Sequence, residues 1–259
     1  MRVCVSFRTI VRSQTRPTQQ VRAVIERAPE SAPDSNRPQV THAMEDYLKA
    51  VYRLREQGGS ITTQRIAEEL GVTGPSVTNM IKRLDDLHLL EHTRYQGVTL
   101  TAAGEKIALE VIRHHRLLEL YLAETLGYSW DEVHDEAERL EHHISDEMEA
   151  RIEATLGFPT HDPHGEPIPS AEGIVQPLSG ATLDQLPIGV PCRIERAVDR
   201  DPERLRYLGE LGLYPGALVT LIELMPFDMA EERVTQAQEQ YTLTRRSSDL
   251  GRASCRERV

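Results

Sequence analysis

Residues 62–87 read TTQRIAEELGVTGPSVTNMIKRLDDL, and their punctuation decides the fold. Thr62 or Thr63 starts a helix that carries Ile66, Ala67 and Leu70 on one face, and Gly71 ends it. The short turn Val72-Thr73-Gly74 leads into a second helix, capped by Thr73 or Gly74. Pro75 takes its first position, where no backbone N–H is needed. Val77, Met80, Ile81, Leu84 and Leu87 form its buried stripe. Upstream, Tyr47, Leu48, Val51, Tyr52 and Leu54 give residues 44–57 a helical period that stops at Gly58-Gly59. Downstream of Leu90, His92-Thr93-Arg94, a Tyr95-Gln96-Gly97 turn and Val98-Thr99-Leu100-Thr101 read as a β-hairpin. Helix, helix, turn, helix, hairpin is a winged helix-turn-helix.

In such a unit the N-terminal residues of the second helix of the motif reach base edges in the major groove. Here they are Thr73, Pro75, Ser76, Thr78 and Asn79, all short enough for close approach. Asn79 is suited to adenine, Ser76 and Thr78 to phosphate or base edges, and Lys82, Arg83 and Arg94 to phosphate. The competing reading is a three-helix unit that contacts only protein. The wing and the Thr-Gly-Pro-Ser turn favour DNA.

The overall charge of −11 over 259 residues looks wrong for a DNA-binding protein, whose footprint is usually basic. Divided along the chain, the objection dissolves. Residues 1–40 are net +4, 41–104 net −1, 105–173 net −12, 174–228 net −3 and 229–259 net +1. The acidic segment also holds seven of the ten histidines. Carboxylates that concentrate imidazoles mark a candidate metal region. No window approaches the ~20 apolar residues of a membrane span, and Cys4, Cys192 and Cys255 show neither disulfide nor Cys-x-x-Cys spacing. A cytoplasmic protein is expected.

Two long helices are predicted in the acidic segment, one from Thr101 to about Leu126 and one from an Ser129 cap to about Leu156. On the second, His134, Glu138, Glu141 and His142 fall at i, i+4, i+7 and i+8, within an arc of about 100°. Such a face repels itself or wastes solvation unless a cation sits there. His115 and Glu119 form a further i, i+4 pair on the preceding helix, and Asp46 adds a carboxylate from the first. Nitrogen and oxygen ligands without sulfur suit Mn(II), Fe(II), Co(II) or Zn(II), with a bias to manganese or iron. The His-Glu-x-x-His arrangement of zinc hydrolases is missing. His114, His143 and Asp146 read as ordinary surface residues.

These motifs resemble the iron- and manganese-dependent repressors of the diphtheria toxin repressor (DtxR) family, which includes the manganese transport regulators. The resemblance covers roughly residues 41–228. It rests on Met44-Glu45-Asp46-Tyr47-Leu48, Ile66-Ala67-Glu68 with Thr73-Gly74-Pro75-Ser76-Val77, and His115-Arg116-Leu117-Leu118-Glu119. Its most specific run is Val133-His134-Asp135-Glu136-Ala137-Glu138 with Glu141-His142 and Ser145-Asp146-Glu147. It implies a mainly α protein with small β elements: a winged helix-turn-helix (41–104), a helical dimerisation and metal-binding domain (105–158), a Pro-rich linker (159–176) and a FeoA-like SH3 β-barrel (177–228). It assigns Asp46, Glu138, Glu141 and His142 to a primary metal site, and His115, Glu119 and His134 to an ancillary one, so two Mn(II) or Fe(II) sites per subunit are implied. Iron-type members place Met and Cys where this chain has Asp46 and Glu138, which favours Mn(II). Lys49 stands where manganese-type members usually have a further carboxylate. Asp201 or Glu203 is a candidate extra ancillary ligand.

Residues 1–40 superficially resemble a transit peptide but read better as a disordered arm or an upstream extension. The tail 229–259 is polar and Arg/Ser-rich, is expected to be disordered, and leaves the barrel short of its final strands. The function implied is a homodimeric, metal-activated transcriptional repressor that binds a double-stranded DNA operator and controls metal-homeostasis genes. The alternatives are a metal-independent winged-helix regulator or a metalloenzyme. No nucleophile motif supports the enzyme.

Overall fold

The computed structural model describes residues 2–5, 40–93, 97–177, 180–198, 201–224, 231–236 and 239–244. Strand β1 (Arg2–Val5) joins the C-terminal sheet, far along the chain. The winged helix-turn-helix is built from α1 (His42–Gln57), α2 (Thr63–Leu70), α3 (Gly74–Asp86) and the antiparallel hairpin of β2 (Leu90–Thr93) and β3 (Gly97–Leu100). The Thr62 hydroxyl accepts the Arg65 N–H at 3.2 Å and caps α2, which ends at Gly71 with φ 64. Leu48 and Val51 of α1, Ile66 of α2, Val77, Ile81 and Leu84 of α3, and Leu90 and Val98 of the hairpin share one core.

A 25-residue helix, α4 (Ala102–Leu126), runs from this core into the next. Thr101 caps it by accepting the Gly104 N–H at 3.1 Å, and Gly127, at φ 75, closes it. Two short helices follow, α5 (Val133–Leu140) and α6 (Asp146–Thr155). Ala108, Leu109 and Ile112 near the start of α4 complete the winged-helix core. Leu117, Leu118 and Leu122 build a second core with Val133 and Ala137 of α5, Ile152 of α6 and Ile168.

The single helix predicted over 129–156 is therefore two. The Ser145 hydroxyl accepts the Met148 N–H at 3.3 Å, and Asp146, Glu147 and Glu149 fill the first turn behind it. A side-chain cap followed by carboxylates starts a new helix. Ser129 does not cap; its carbonyl accepts the Glu132 N–H in a turn. Glu141 is thus the C-cap of α5 and His142 lies beyond it, so the predicted four-residue stripe survives on the helix only as His134 and Glu138.

The Pro-rich segment 159–176 is packed rather than a free linker. Arg113 donates to the Pro169 carbonyl at 2.8 Å, Arg116 donates to the Pro167 carbonyl at 2.6 Å, and Asp162 accepts the His164 and Glu166 N–H groups at 2.8 and 2.9 Å. Proline and glycine signal irregular backbone, which does not preclude packing.

Beyond it come β4 (Ala181–Thr182), β5 (Pro191–Val198), α7 (Pro202–Glu210), β6 (Leu218–Leu224), β7 (Glu231–Gln236) and β8 (Glu239–Thr244). The sheet order is β4-β1-β5-β6-β7-β8, over a core that includes Cys192, Ile194, Leu208, Leu213, Val219 and Leu221. Among the described residues β4 and β8 do not pair, so the sheet is open rather than a closed barrel. Two expectations are corrected. Part of the N-terminal arm is a strand, with Val3 opposite Ala197, and the strand pattern continues past residue 228, with Val234 opposite Leu221 and Tyr241 opposite Val234. β1 is only four residues long, and β7 and β8 are mostly polar, so neither segment declares itself without its partners. The rest of the arm and the tail beyond residue 244 lie outside the described residues.

Gly104 shows how closely the start of α4 packs on the winged helix. A Cβ there would lie 1.8 Å from the Leu89 carbonyl oxygen. Overpacking of this kind costs about 1–3 kcal/mol, so Gly104→Ala should lower the melting temperature by roughly 2–10 °C. Calorimetry of the metal-free protein checks this; an unchanged midpoint would show that the helix start can shift freely.

Candidate functional site

Three elements bring the predicted ligands together. On α1, Asp46 and Lys49 are one turn apart and share a face. On α4, His115 and Glu119 do the same. On α5, Val133 and Ala137 point into the second core, which turns His134 and Glu138 towards α1 and α4. Glu141, fully buried, lies where the three meet. Its carboxylate accepts from His115 Nδ1 at 2.6 Å and from Lys49 Nζ at 2.6 and 2.7 Å. The Glu138 carboxylate accepts from the same ammonium at 2.7 Å. His142 Nε2 sits 2.8 Å from Asp46 Oδ1 and 3.4 Å from Glu141 Oε1, and its Nδ1 bonds Glu45 at 2.6 Å. Asp46, Lys49, Arg53, His134, Glu138 and His142 line a cleft open to solvent.

A second group lies deeper. His115 Nε2 approaches Glu119 Oε1 at 2.9 Å and His134 Nδ1 at 3.0 Å, and His134 Nδ1 is 3.0 Å from Glu119 Oε1. The other Glu119 oxygen faces His164 Nδ1 at 3.7 Å, and Asp162 completes a buried trio with them. Sequence reasoning missed Asp162 and His164 because prolines frame them. The only signal was the pair of imidazoles and the acid in His161-Asp162-Pro163-His164. His114 is likewise buried rather than on the surface, bonded to the Glu141 carbonyl at 3.1 Å and to Glu149 at 3.0 Å. His143 and Asp146 are exposed as expected. Asp201 caps α7 by accepting the Glu203 N–H at 3.0 Å, and neither residue is in a ligand cluster.

Charges in this region are strongly biased. Burial opposes ionisation of Glu119, yet the His115 and His134 imidazoles hold its carboxyl well below the usual range. Burial works against His164 too, but Glu119 raises it to about 9. Burial, reinforced by Glu119, pushes the Asp162 carboxyl up. His142 is raised by Asp46 against its burial.

The donor set fits a divalent ion. Oxygen and nitrogen atoms of Asp46–Glu141–His142, His115–Glu119–His134, His115–Glu138–Glu141 and Glu119–Asp162–His164 lie within 4.8 Å of one another in each trio. Neighbouring ligand atoms around one ion at about 2.0–2.2 Å stand roughly 2.8–3.6 Å apart in octahedral or tetrahedral geometry, and the separations above bracket that span. No sulfur is among the donors.

On α3, Thr73 at its cap and Pro75, Ser76, Thr78, Asn79, Lys82 and Arg83 are all exposed, while Val77, Ile81 and Leu84 face the core. The Thr73 and Ser76 hydroxyls are 3.0 Å apart, and Thr78 donates to the Gly74 carbonyl at 3.0 Å. Arg94 lies outside the described residues.

Comparison with known proteins agrees with this layout. The model described as iron dependent repressor, N-terminal DNA binding domain matches residues 39–98; that of the iron dependent repressor, metal binding and dimerisation domain matches 101–170; and the FeoA domain matches 181–245. The iron-dependent repressor IdeR of Mycobacterium tuberculosis is 35% identical over 189 residues, covering 68% of this chain and 82% of that protein. The diphtheria toxin repressor of Corynebacterium efficiens is 34% identical, covering 69% and 82%. A solved manganese-dependent transcriptional repressor in complex with manganese aligns with a TM-score of 0.71 and 38% identity over 79% of this chain and 94% of that one.

Glu138 supplies a test of the electrostatics. Burial would raise its carboxyl, but Lys49, His115 and Arg53 bring it down to about 2 from 4.5. A depressed value stabilises the fold above the unfolded value and loses that contribution as pH falls through the folded one. Metal-free protein should therefore lose stability between about pH 4.5 and pH 2, and Glu138→Gln should flatten that slope. Urea titrations across the window measure it; parallel slopes would contradict the assignment.

Proposed function

The chain belongs to the iron-dependent repressor family and is a metal-dependent, DNA-binding transcriptional repressor; on that premise we propose that Asp46, Glu141 and His142 hold the activating ion. Glu138 lies beside them. Glu119 anchors an ancillary site with His115 and His134 or with Asp162 and His164. The observation that carries the reading is the His142–Asp46 contact at 2.8 Å, which ties the segment after α5 to α1. All the donors are oxygen or nitrogen, and Asp46 and Glu138 stand where iron-type members have sulfur ligands, so Mn(II) is preferred over Fe(II).

The mechanism follows from which side chains share α1. Asp46 faces the cluster, while Leu48 and Val51 pack with Ile66, Val77 and Ile81. Whatever fixes Asp46 against Glu141 and His142 therefore fixes α3 through a continuous core. Asp46 from α1 and Glu141 and His142 from the end of α5 would hold the divalent ion, whose charge would offset the two carboxylates brought together there. Glu141 orients His115 by accepting from its Nδ1, and Glu45 holds His142 Nδ1 so that Nε2 faces Asp46. The coupling is reciprocal: DNA held by α3 tightens metal binding by the same factor.

Thr73, Pro75, Ser76, Thr78 and Asn79 would enter the major groove, with Lys82, Arg83 and Arg94 on phosphates. The winged-helix segment is nearly neutral, so specificity rests on a homodimer reading two half-sites. Exposed Leu126, Tyr128, Met148 and Phe158 around the helical domain offer apolar surface for that pairing. Among the described residues no helix is long and apolar enough to cross a membrane.

Duplexes selected from a random pool by the Mn(II)-loaded protein provide the operator for the test. Binding should weaken by roughly 5–150-fold under chelator and recover with Mn(II). Equal affinity in both conditions would overturn the proposal. His142→Ala should abolish the metal response. Asn79→Ala should cost about 1–3 kcal/mol of specific DNA binding while leaving Mn(II) uptake unchanged.

A further inference from the structure

Lys49 is 3% exposed and sits inside the carboxylate cluster. Its Nζ donates to Glu138 Oε1 at 2.7 Å and to the two Glu141 oxygens at 2.6 and 2.7 Å. Those two carboxylates, with His115, are one of the trios whose donor atoms converge within 4.8 Å. The ammonium thus stands among the donors of one trio. The Asp46–Glu141–His142 trio, which shares Glu141, lies alongside it. Taking as its basis the reading that this second trio holds an ion, we infer that Lys49 is a tethered cation: it fills the place a second divalent ion would take among His115, Glu138 and Glu141, and limits this centre to one metal.

Charge supports the inference. Asp46, Glu138 and Glu141 carry three negative charges, which one divalent ion and one ammonium cancel. At the rim, Glu45 on His142 and Arg53, 3.6 Å from Glu138, offset each other. A second divalent ion beside Lys49 would leave two surplus positive charges next to a fully buried carboxylate, and uncompensated charge is costly there. Shape supports it as well: an ammonium offers three N–H donors, and three carboxylate oxygens lie within 2.7 Å. The consequence is regulatory. A one-ion centre fills along a simple saturation curve, whereas two ions sharing Glu141 would fill interdependently.

The test uses full-length, metal-stripped protein and Mn(II). Equilibrium dialysis gives the number of ions bound, and electron paramagnetic resonance distinguishes isolated ions from a carboxylate-bridged pair. Lys49→Glu should bind one ion more than wild type and show the exchange-broadened spectrum of a bridged pair, whereas Lys49→Arg should keep the wild-type count. Glutamate adds a fourth carboxylate and can prevent folding without metal; Lys49→Gln then carries the same test and should also gain one ion. Unchanged stoichiometry in a folded Lys49→Glu or Lys49→Gln protein overturns the inference. His142→Ala separates the two levels: it should lose one ion from wild type. If it loses none, the metal site itself is misassigned; if it loses one while the Lys49 variants gain none, only the role of Lys49 falls.

Discussion

A fully buried carboxylate cannot stand alone, because an uncompensated charge away from water is prohibitively costly. Glu141 is that carboxylate here, and the surrounding structure is arranged to satisfy it. α1 sends Lys49, α4 sends His115, and the next residue in the chain, His142, turns back to Asp46. The requirement explains why α5 ends where it does. With Glu141 at the C-cap, the chain leaves the helix in time for His142 to face α1. A continuous helix through 129–156 would carry His142 on around the axis with α5.

The sequence revealed the winged helix because its signals are local. Thr62, Gly71, Pro75 and the apolar stripe of α3 act within a few residues of themselves, so periodicity and caps find them. The pairs His115/Glu119 and His134/Glu138 were visible for the same reason, since i, i+4 spacing places both side chains on one face. Asp162 and His164 were not, because nothing nearby in the chain marks them; they reach Glu119 through a fold of the Pro-rich segment. Lys49 stands out in the sequence as a cation among ligand residues, but its pairing with Glu138 and Glu141 spans about ninety residues of chain. The break at Ser145 was legible in principle. A serine followed by Asp146 and Glu147 is a helix start, and it was masked by the apolar period running through it.

The charge of −12 in residues 105–173 has two destinations. Part of it faces solvent, as with Glu147 and Arg151 on α6, where ion pairs contribute little. The remainder is turned inward. Arg113 pairs with Glu149 and Glu153, Arg116 with Glu166, and the imidazoles crowd round Glu119 and Glu141. The acidic balance therefore reports on what the interior holds, and it leaves the winged-helix segment nearly neutral.

One consequence follows from α4, whose first half belongs to the winged-helix core and whose second half carries His115 and Glu119. Nothing interrupts its 25 residues, so its two ends keep a fixed rotational phase. Inserting or deleting a single residue midway would turn one end against the other by about 100°, swinging the reading head round the axis while leaving each half locally intact. Side chains along its exposed flank can drift in identity, but the helix is held to an integer count. It behaves as a keyed shaft, on which the angle between sensor and reader is set by length alone.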